Sequence, residues 1–89
     1  MSAPDQQSVL QAIEEFKRVN EMEFLKRHSS GARPRKFYLS YEGERFPLKA
    51  IWAAAHQPPI HTRAFTTNEA KAGFRKLGFM DFWPPANSN

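Results

Sequence analysis

The sequence predicts a small α+β domain with N-terminal helices, a central β-hairpin and two further helices around one aromatic core. Three observations predict it: a chain of only 89 residues, 8 Phe and 2 Trp residues without any cysteine, and a hydrophobic spacing that changes from helical to alternating and back. A chain this short buries roughly two thirds of the surface that its unfolded form exposes, which supports one core. We therefore expect a single domain over residues 1–89, with an ordered core over roughly residues 5–83.

The first third of the chain predicts two helices. Asp5 is suited to the start of a helix, and Val9 and Ile13 then follow at the spacing of an amphipathic helix that packs one face. Asn20 followed three residues later by Glu23 has the spacing of a second N-terminal cap. A short second helix is therefore expected after the first.

The central segment changes its period from helical to two residues. Residues 37–41 alternate between two faces, with Leu39 and Tyr41 on one face and Tyr38 and Ser40 on the other. An acidic residue and a glycine come next and suit the tight turn of a hairpin. The chain is then expected to return as a second strand.

The second half predicts two more helices and an aromatic end. Pro47 precedes an Ala-rich segment, residues 49–56, that favours a helix. Thr66 and Glu69 have the spacing of a capping box for the final helix, and Gly78 suits its end. Aromatic packing is expected from Phe16, Phe24, Phe37, Phe46, Phe74 and Phe79, with Phe82 and Trp83 covering the core as a terminal strand or extended tail.

Positive charge is concentrated in the later part of the chain. The net charge is +4 and the isoelectric point is about 9.8. Residues 1–28 carry 4 basic and 5 acidic side chains, a balance of −1, whereas the remainder carries 9 basic and 4 acidic ones, a balance of +5. Such a distribution is typical of domains that bind nucleic acid, although basic composition also serves solubility alone.

An Arg-Pro-Arg-Lys sequence, residues 33–36, leads directly into the hairpin. Cations in such a loop can neutralise phosphate groups and fix the register of a nearby recognition element, while a solvated loop is the alternative interpretation. We predict DNA contacts from this loop, from the hairpin and from the segments after it: Arg33, Arg35, Lys36, Tyr38, Ser40, Arg45, Lys49, Trp52 and Arg63.

Two aromatic side chains of this set, Tyr38 and Trp52, are candidates for stacking on a base. A tryptophan in an Ala-rich helix also suits an anchor of the core, and both interpretations of Trp52 stay open. Lys71, Arg75 and Lys76 form a second basic cluster, but the stability of a helix C-terminus is enough to explain them.

The sequence contains no pattern for catalysis, for a cofactor or for a metal ion. The absence of cysteine excludes thiolate zinc sites and disulfides. His56 and His61 lie five residues apart across a Pro-Pro pair, a spacing that does not suit two ligands of one ion, and His28 is remote in sequence. Phosphate-binding loops and nucleophile elbows are absent as well. We therefore predict a non-enzymatic protein without metal or cofactor.

Targeting signals are also absent from the sequence. The chain begins without a charged segment followed by an apolar run, and no apolar stretch reaches the ~18 residues of a membrane span. We therefore expect no membrane association. Since the lack of cysteine suits a reducing compartment, we expect the protein in the cytoplasm.

The run FYLSYEGERFPLKAIWAAAH, residues 37–56, resembles the N-terminal head module of McrA-like, modification-dependent HNH endonucleases. The shared features are the aromatic strand, the acidic-Gly turn with Gly43, a basic residue before an aromatic one, and Lys49 at the start of the Ala-rich helix. FRKLGF at residues 74–79 resembles the final helix of that module, and the similarity covers roughly residues 8 to 80. Pro47 and Trp52 depart from the pattern, which has smaller or more polar residues at these positions.

This resemblance implies a module that senses or targets DNA, with or without a modified base, for a restriction-type nuclease. It does not imply cleavage, because nothing in the chain resembles the HNH nuclease itself. Arg45 and Lys49 match the basic positions of the pattern. The alternative is a protein-interaction module that docks a partner nuclease or another restriction component through its exposed aromatic side chains.

Overall fold

The chain folds into four α-helices and a three-stranded antiparallel sheet, which confirms the predicted α+β class. The structure is a computed structural model and describes residues 4–29, 37–56 and 58–83. The predicted contacts Arg33, Arg35 and Lys36 lie outside the described residues, as does the side chain of Arg63. In chain order the elements are α1 (Gln6–Arg18), α2 (Glu21–Ser29), β1 (Tyr38–Tyr41), β2 (Glu44–Pro47), α3 (Leu48–Ala55), a 3₁₀ turn (Thr62–Ala64), α4 (Thr67–Lys76) and β3 (Phe82–Trp83).

Both predicted N-terminal helices are confirmed: α2 begins at its predicted cap, and Asp5, expected at the start of α1, is the N-cap of that helix. The Asp5 carboxylate accepts the Ser8 backbone N–H at 2.7 Å, and the Ser8 hydroxyl accepts the Asp5 N–H at 2.9 Å. At α2 the Asn20 side-chain oxygen accepts the Glu23 N–H at 2.8 Å. Such caps satisfy backbone N–H groups that have no partner within the helix, and each cap stabilises the fold by about 1 kcal/mol.

The hairpin has the predicted turn between β1 and β2. Glu42 and Gly43 have φ angles of 50° and 80°, both left-handed, as the two central residues of a type I′ turn require. The register places Leu39 opposite Phe46. The C-terminal segment forms a third strand, β3, which pairs antiparallel to β1 so that the sheet order is β2-β1-β3.

The helices pack on one face of the sheet, and aromatic residues from both layers form the core. The largest fully buried side chains come from every main element except β3: Val9, Ile13, Phe24, Leu39, Phe46, Pro47, Leu48, Ile51 and Phe74. Two expected core residues are exceptions: Phe37 is 37% exposed and Trp83 is 39% exposed. The prediction that these two side chains pack in the core is wrong. Trp83 follows Phe82 in β3, and successive side chains point to opposite faces of a sheet. Phe37 precedes the first residue of β1, and the Lys71 ammonium lies on its ring at 4.4 Å.

A close approach joins α3 to α4. The Trp52 ring lies where a Cβ atom on Gly73 would be, and its centroid is 4.8 Å from that of Phe74. Thr66 and Glu69 form the predicted capping box at the start of α4, with bonds of 2.7 and 3.1 Å. The helix ends at the predicted position, since Gly78 has a φ of 91°.

Candidate nucleic-acid interface

The sheet has an outer face that the helices leave uncovered, carrying side chains from all three strands. Strand alternation places Leu39 and Phe46 in the core, so their neighbours Ser40 and Arg45, which are paired in register, point to the other side. Tyr38 and Trp83, also paired in register, lie on the same side. We call Tyr38, Ser40, Arg45 and Trp83 the outer face.

Arg45 is stacked on an aromatic ring within the outer face. Its guanidinium carbon lies 4.4 Å from the centroid of the Trp83 ring, and the Tyr38 ring lies 6.0 Å from that of Trp83 at an angle of 60°. Within the described residues, Arg45 has no carboxylate partner at ion-pair distance. Stacking holds a guanidinium in a defined plane while its N–H donors stay free at the edge, which suits a planar acceptor or a phosphate.

Acidic side chains lie at the other end of the sheet, near the hairpin turn. The Ser40 N–H donates to the Asp81 carbonyl oxygen at 2.9 Å, and Ser40, Glu42 and Asp81 share the wall of an open groove of about 450 Å³. Glu44 is 3.6 Å from the Lys17 ammonium group. Acids therefore surround the turn, whereas the Tyr38 and Trp83 rings lie at the beginning of β1 and the end of β3. Arg45 lies in β2 opposite Ser40, and its guanidinium extends to the Trp83 ring.

Two further ion pairs involve Arg27, one between α2 and α1 and one within α2. Arg27 contacts the carboxylates of Glu15 and Glu23 at 3.0 and 3.4 Å. The hydrogen bond to Glu15 raises the pKa of Arg27 above its ordinary value, and the attraction of both carboxylates acts in the same direction. Lys17 of α1 and Arg27 of α2 are thus paired with carboxylates, whereas Arg45 has no such partner among the described residues.

The two predicted contacts on α3 lie among other aromatic groups rather than on the outer face. The Lys49 ammonium is 5.5 Å from the centroid of Phe65, and Trp52 is half-buried against Phe74 of the core. His56 lies edge-on to Trp52, and its Nδ1 is 2.8 Å from the Trp52 carbonyl oxygen. The structure thus brings Tyr38, Ser40 and Arg45 together and places Lys49 and Trp52 on the helical side.

Sequence reasoning missed Trp83 as a candidate contact. It was assigned to the core with Phe82, although two successive residues of one strand cannot both point inward. The alternating pattern of a short strand at residues 82–83 was the signal available for finding it. In the folded chain it pairs with Tyr38 and is the ring that holds Arg45.

None of the helices in the described part of the chain is long and apolar enough to cross a membrane. Nor do the described histidine and acidic side chains form a group of three or more that could hold a metal ion.

Comparison with known proteins identifies the family. Residues 2–80 match the family model of the ScoMcrA-like, N-terminal head domain, which confirms the resemblance found in the sequence. Searches of curated proteins and of solved structures return no match. The matched segment includes every described element from α1 to the end of α4 and only β3 lies beyond it. The chain therefore belongs to the ScoMcrA-like N-terminal head domain family.

Proposed function

We propose that this head domain is a non-catalytic module that binds double-stranded DNA with the outer face of its sheet. The observation that carries the proposal is the Arg45 guanidinium, held on the Trp83 ring at 4.4 Å without a carboxylate partner among the described residues. An arginine kept in this way is desolvated on one side and pre-organised, so that little side-chain entropy is lost when it binds a phosphate or a base edge.

The charge distribution supports the same face. Arg33, Arg35 and Lys36 directly precede Phe37 in the sequence, and consecutive Cα atoms are ~3.8 Å apart, so the chain connects these cations to the beginning of β1. The acids Glu42 and Asp81 lie toward the turn instead. A negatively charged backbone is therefore attracted to the end of the sheet where Tyr38 and Trp83 are paired.

The first test measures the affinity for a short duplex by fluorescence anisotropy at several salt concentrations. Arg45→Gln is expected to lower the slope of log K against log salt by ~1 and to weaken binding about fivefold at physiological salt, because one phosphate contact is lost. Lys26→Gln is the matched control, since Lys26 is exposed on α2 and its substitution removes the same charge. Equal effects of the two variants, or binding that does not respond to salt, would contradict the proposal.

A second prediction concerns recognition of the base. We propose that Tyr38 and Trp83 stack on an exposed base while Ser40 offers a hydroxyl, because cations directed at phosphates carry no information about sequence. Stacking contributes ~1–3 kcal/mol per base, so Trp83→Leu is expected to weaken binding between about fivefold and a hundredfold. Tyr38→Leu and Trp83→Leu are also expected to change the ratio of affinities for modified and unmodified duplexes.

The probes for this second prediction are matched duplexes that are unmodified, cytosine-modified, adenine-modified or phosphorothioate-linked. Trp52→Phe serves as the comparison, since Trp52 was an expected contact from the sequence but packs against Phe74. Near-UV circular dichroism first establishes that each variant is folded. If Trp52→Phe changes the affinity ratio and Trp83→Leu does not, the recognition surface lies on the helical side.

One observation favours a second candidate function, the docking of a partner nuclease or other restriction component. The groove of about 450 Å³ is lined on its apolar side by Leu10 and Met80, which are 38% and 69% exposed. Exposed apolar side chains beside polar ones are typical of protein interfaces. If the domain has this function, substitution of Leu10 and Met80 is expected to lower its affinity for the partner protein, and that affinity is expected to change little with salt concentration.

A further inference from the structure

Helix α4 carries two cations that lie on aromatic rings next to the sheet, one on the exposed Phe37 and one on the half-buried Phe82. The Lys71 ammonium is 4.4 Å from the centroid of Phe37, and the Arg75 guanidinium carbon is 5.4 Å from the centroid of Phe82. The two positions are four residues apart and therefore share one side of the helix. We call Lys71 and Arg75 the α4 cation pair.

Helix stability alone does not account for this pair. The negative end of the helix dipole favours Arg75 in the last turn, but Lys71 lies in the middle of α4, where that effect has decayed. Like charges four residues apart also destabilise a helix by a few tenths of a kcal/mol. In the part of the chain that the structure describes, neither cation has an ion-pair partner, and the Glu69 carboxylate is bound to the Thr66 N–H at 2.7 Å.

The strand geometry relates the α4 cation pair to the outer face. Phe82 and Trp83 are successive residues of β3, so their rings lie on opposite faces of the sheet. Arg75 lies on the Phe82 ring from the helical side, and Arg45 lies on the Trp83 ring from the outer side. β3 therefore has a cation on each of its faces.

The beginning of β1 repeats this arrangement. Phe37 directly precedes Tyr38 in the chain; Lys71 lies on the Phe37 ring, whereas the Tyr38 ring lies beside Trp83 on the outer face. Phe37 is 37% exposed and Lys71 is half-buried, so both contribute to the surface at this end of the sheet. Four aromatic residues, from β3 and from the beginning of β1 with the residue before it, thus lie between the α4 cation pair and Arg45.

We infer that Lys71 and Arg75 form a second set of phosphate contacts for the same DNA, which lies across the beginning of β1 and the end of β3. This inference rests on the proposed function and specifies it, because it assigns part of the DNA interface to α4. A negatively charged backbone is the occupant that complements two unneutralised cations held a short distance apart, and the cations on both faces of β3 favour a ligand that spans this edge of the sheet.

The test is the double variant Lys71→Gln/Arg75→Gln, titrated with the same duplex over the same salt series. Loss of two phosphate contacts is expected to lower the salt slope by ~2 and to raise the Kd roughly 30-fold at physiological salt. Lys76→Gln is the control, because Lys76 is exposed on the same helix and has no recorded ring contact. The salt slope and the Kd of this control are expected to stay near those of the parent protein. Circular dichroism and the Tm establish that all variants are folded.

The outcomes separate this inference from the function on which it rests. If the parent protein shows no salt-dependent binding of the duplex, the proposed function itself fails. If the parent binds and Arg45→Gln weakens it, but the double variant keeps the parent slope, only the role of α4 is overturned. An effect of Lys76→Gln as large as half that of the double variant also overturns it, because the loss would then reflect net charge.

Discussion

Replacing Arg33, Arg35 and Lys36 together by alanine is expected to weaken binding to every duplex on the order of a hundredfold at physiological salt. Three phosphate contacts correspond to a change of ~3 in the salt slope, and the loss grows as the salt concentration falls. The ratio of affinities for modified and unmodified duplexes is expected to stay at the parent value, because cations that bind the backbone do not distinguish bases. The salt series by fluorescence anisotropy measures both quantities.

The control for this triple variant removes an equal charge from exposed positions that have no recorded ion pair: Arg18, Lys26 and Lys76. It is expected to lower affinity only slightly, through the long-range field of the protein, and to leave the slope nearly unchanged. Equal losses in the two triple variants would mean that DNA is attracted by net charge and not by a defined site. Unchanged binding in the loop variant would place the interface away from the beginning of β1.

Gly73→Ala is expected to destabilise the protein by about 1–3 kcal/mol, although alanine is ordinarily the better helix former by ~1 kcal/mol. The reason is local packing, since the new methyl group would occupy the place of the Trp52 ring. The ring would have to leave Phe74, against which it packs at 4.8 Å, and would lose buried area between α3 and α4. Urea denaturation gives the free energy of unfolding, and tryptophan fluorescence in a Trp83→Phe background reports the displaced Trp52 ring.

A double-mutant cycle identifies the cause of that loss. In a Trp52→Leu background the steric conflict is removed, so Gly73→Ala is expected to become neutral or to stabilise by up to ~1 kcal/mol. The sign of the substitution is thus expected to change with the residue at position 52. If Gly73→Ala destabilises both backgrounds equally, the conflict is with the backbone of α4 or with another neighbour, and the ring of Trp52 does not determine it.

The local elements could be predicted from sequence because their causes are local. The caps at Asp5, Asn20 and Thr66 depend on side chains that bond within three residues, and the turn before β2 depends on Gly43 tolerating a left-handed backbone. The resemblance to the head module needed only the order of such elements along the chain. For the same reason the assignment of Tyr38 and Ser40 to one face of a strand followed from alternation alone.

Contacts between distant segments could not be predicted in this way. Trp83 was expected in the core because it is aromatic, and it became part of the outer face only when β3 paired with β1 in the register that sets it opposite Tyr38. From the sequence alone, the stability of the C-terminus of α4 is enough to explain the α4 cation pair. The position of these cations over Phe37 and Phe82 depends on how α4 packs on the sheet. Lys71 and Phe37, for example, are about 35 residues apart in the chain.

Composition and spacing within a few residues are enough to predict the α+β class, the helix starts, the hairpin and the excess of positive charge after residue 28. Which cations are neutralised and which aromatic rings remain exposed depends instead on how distant segments pack. Arg27 is paired with carboxylates of α1 and α2, whereas the Arg45 guanidinium lies on the Trp83 ring. The physical reason is that charge pairing and burial depend on distances across the fold, which the register of β3 and the packing of α4 establish.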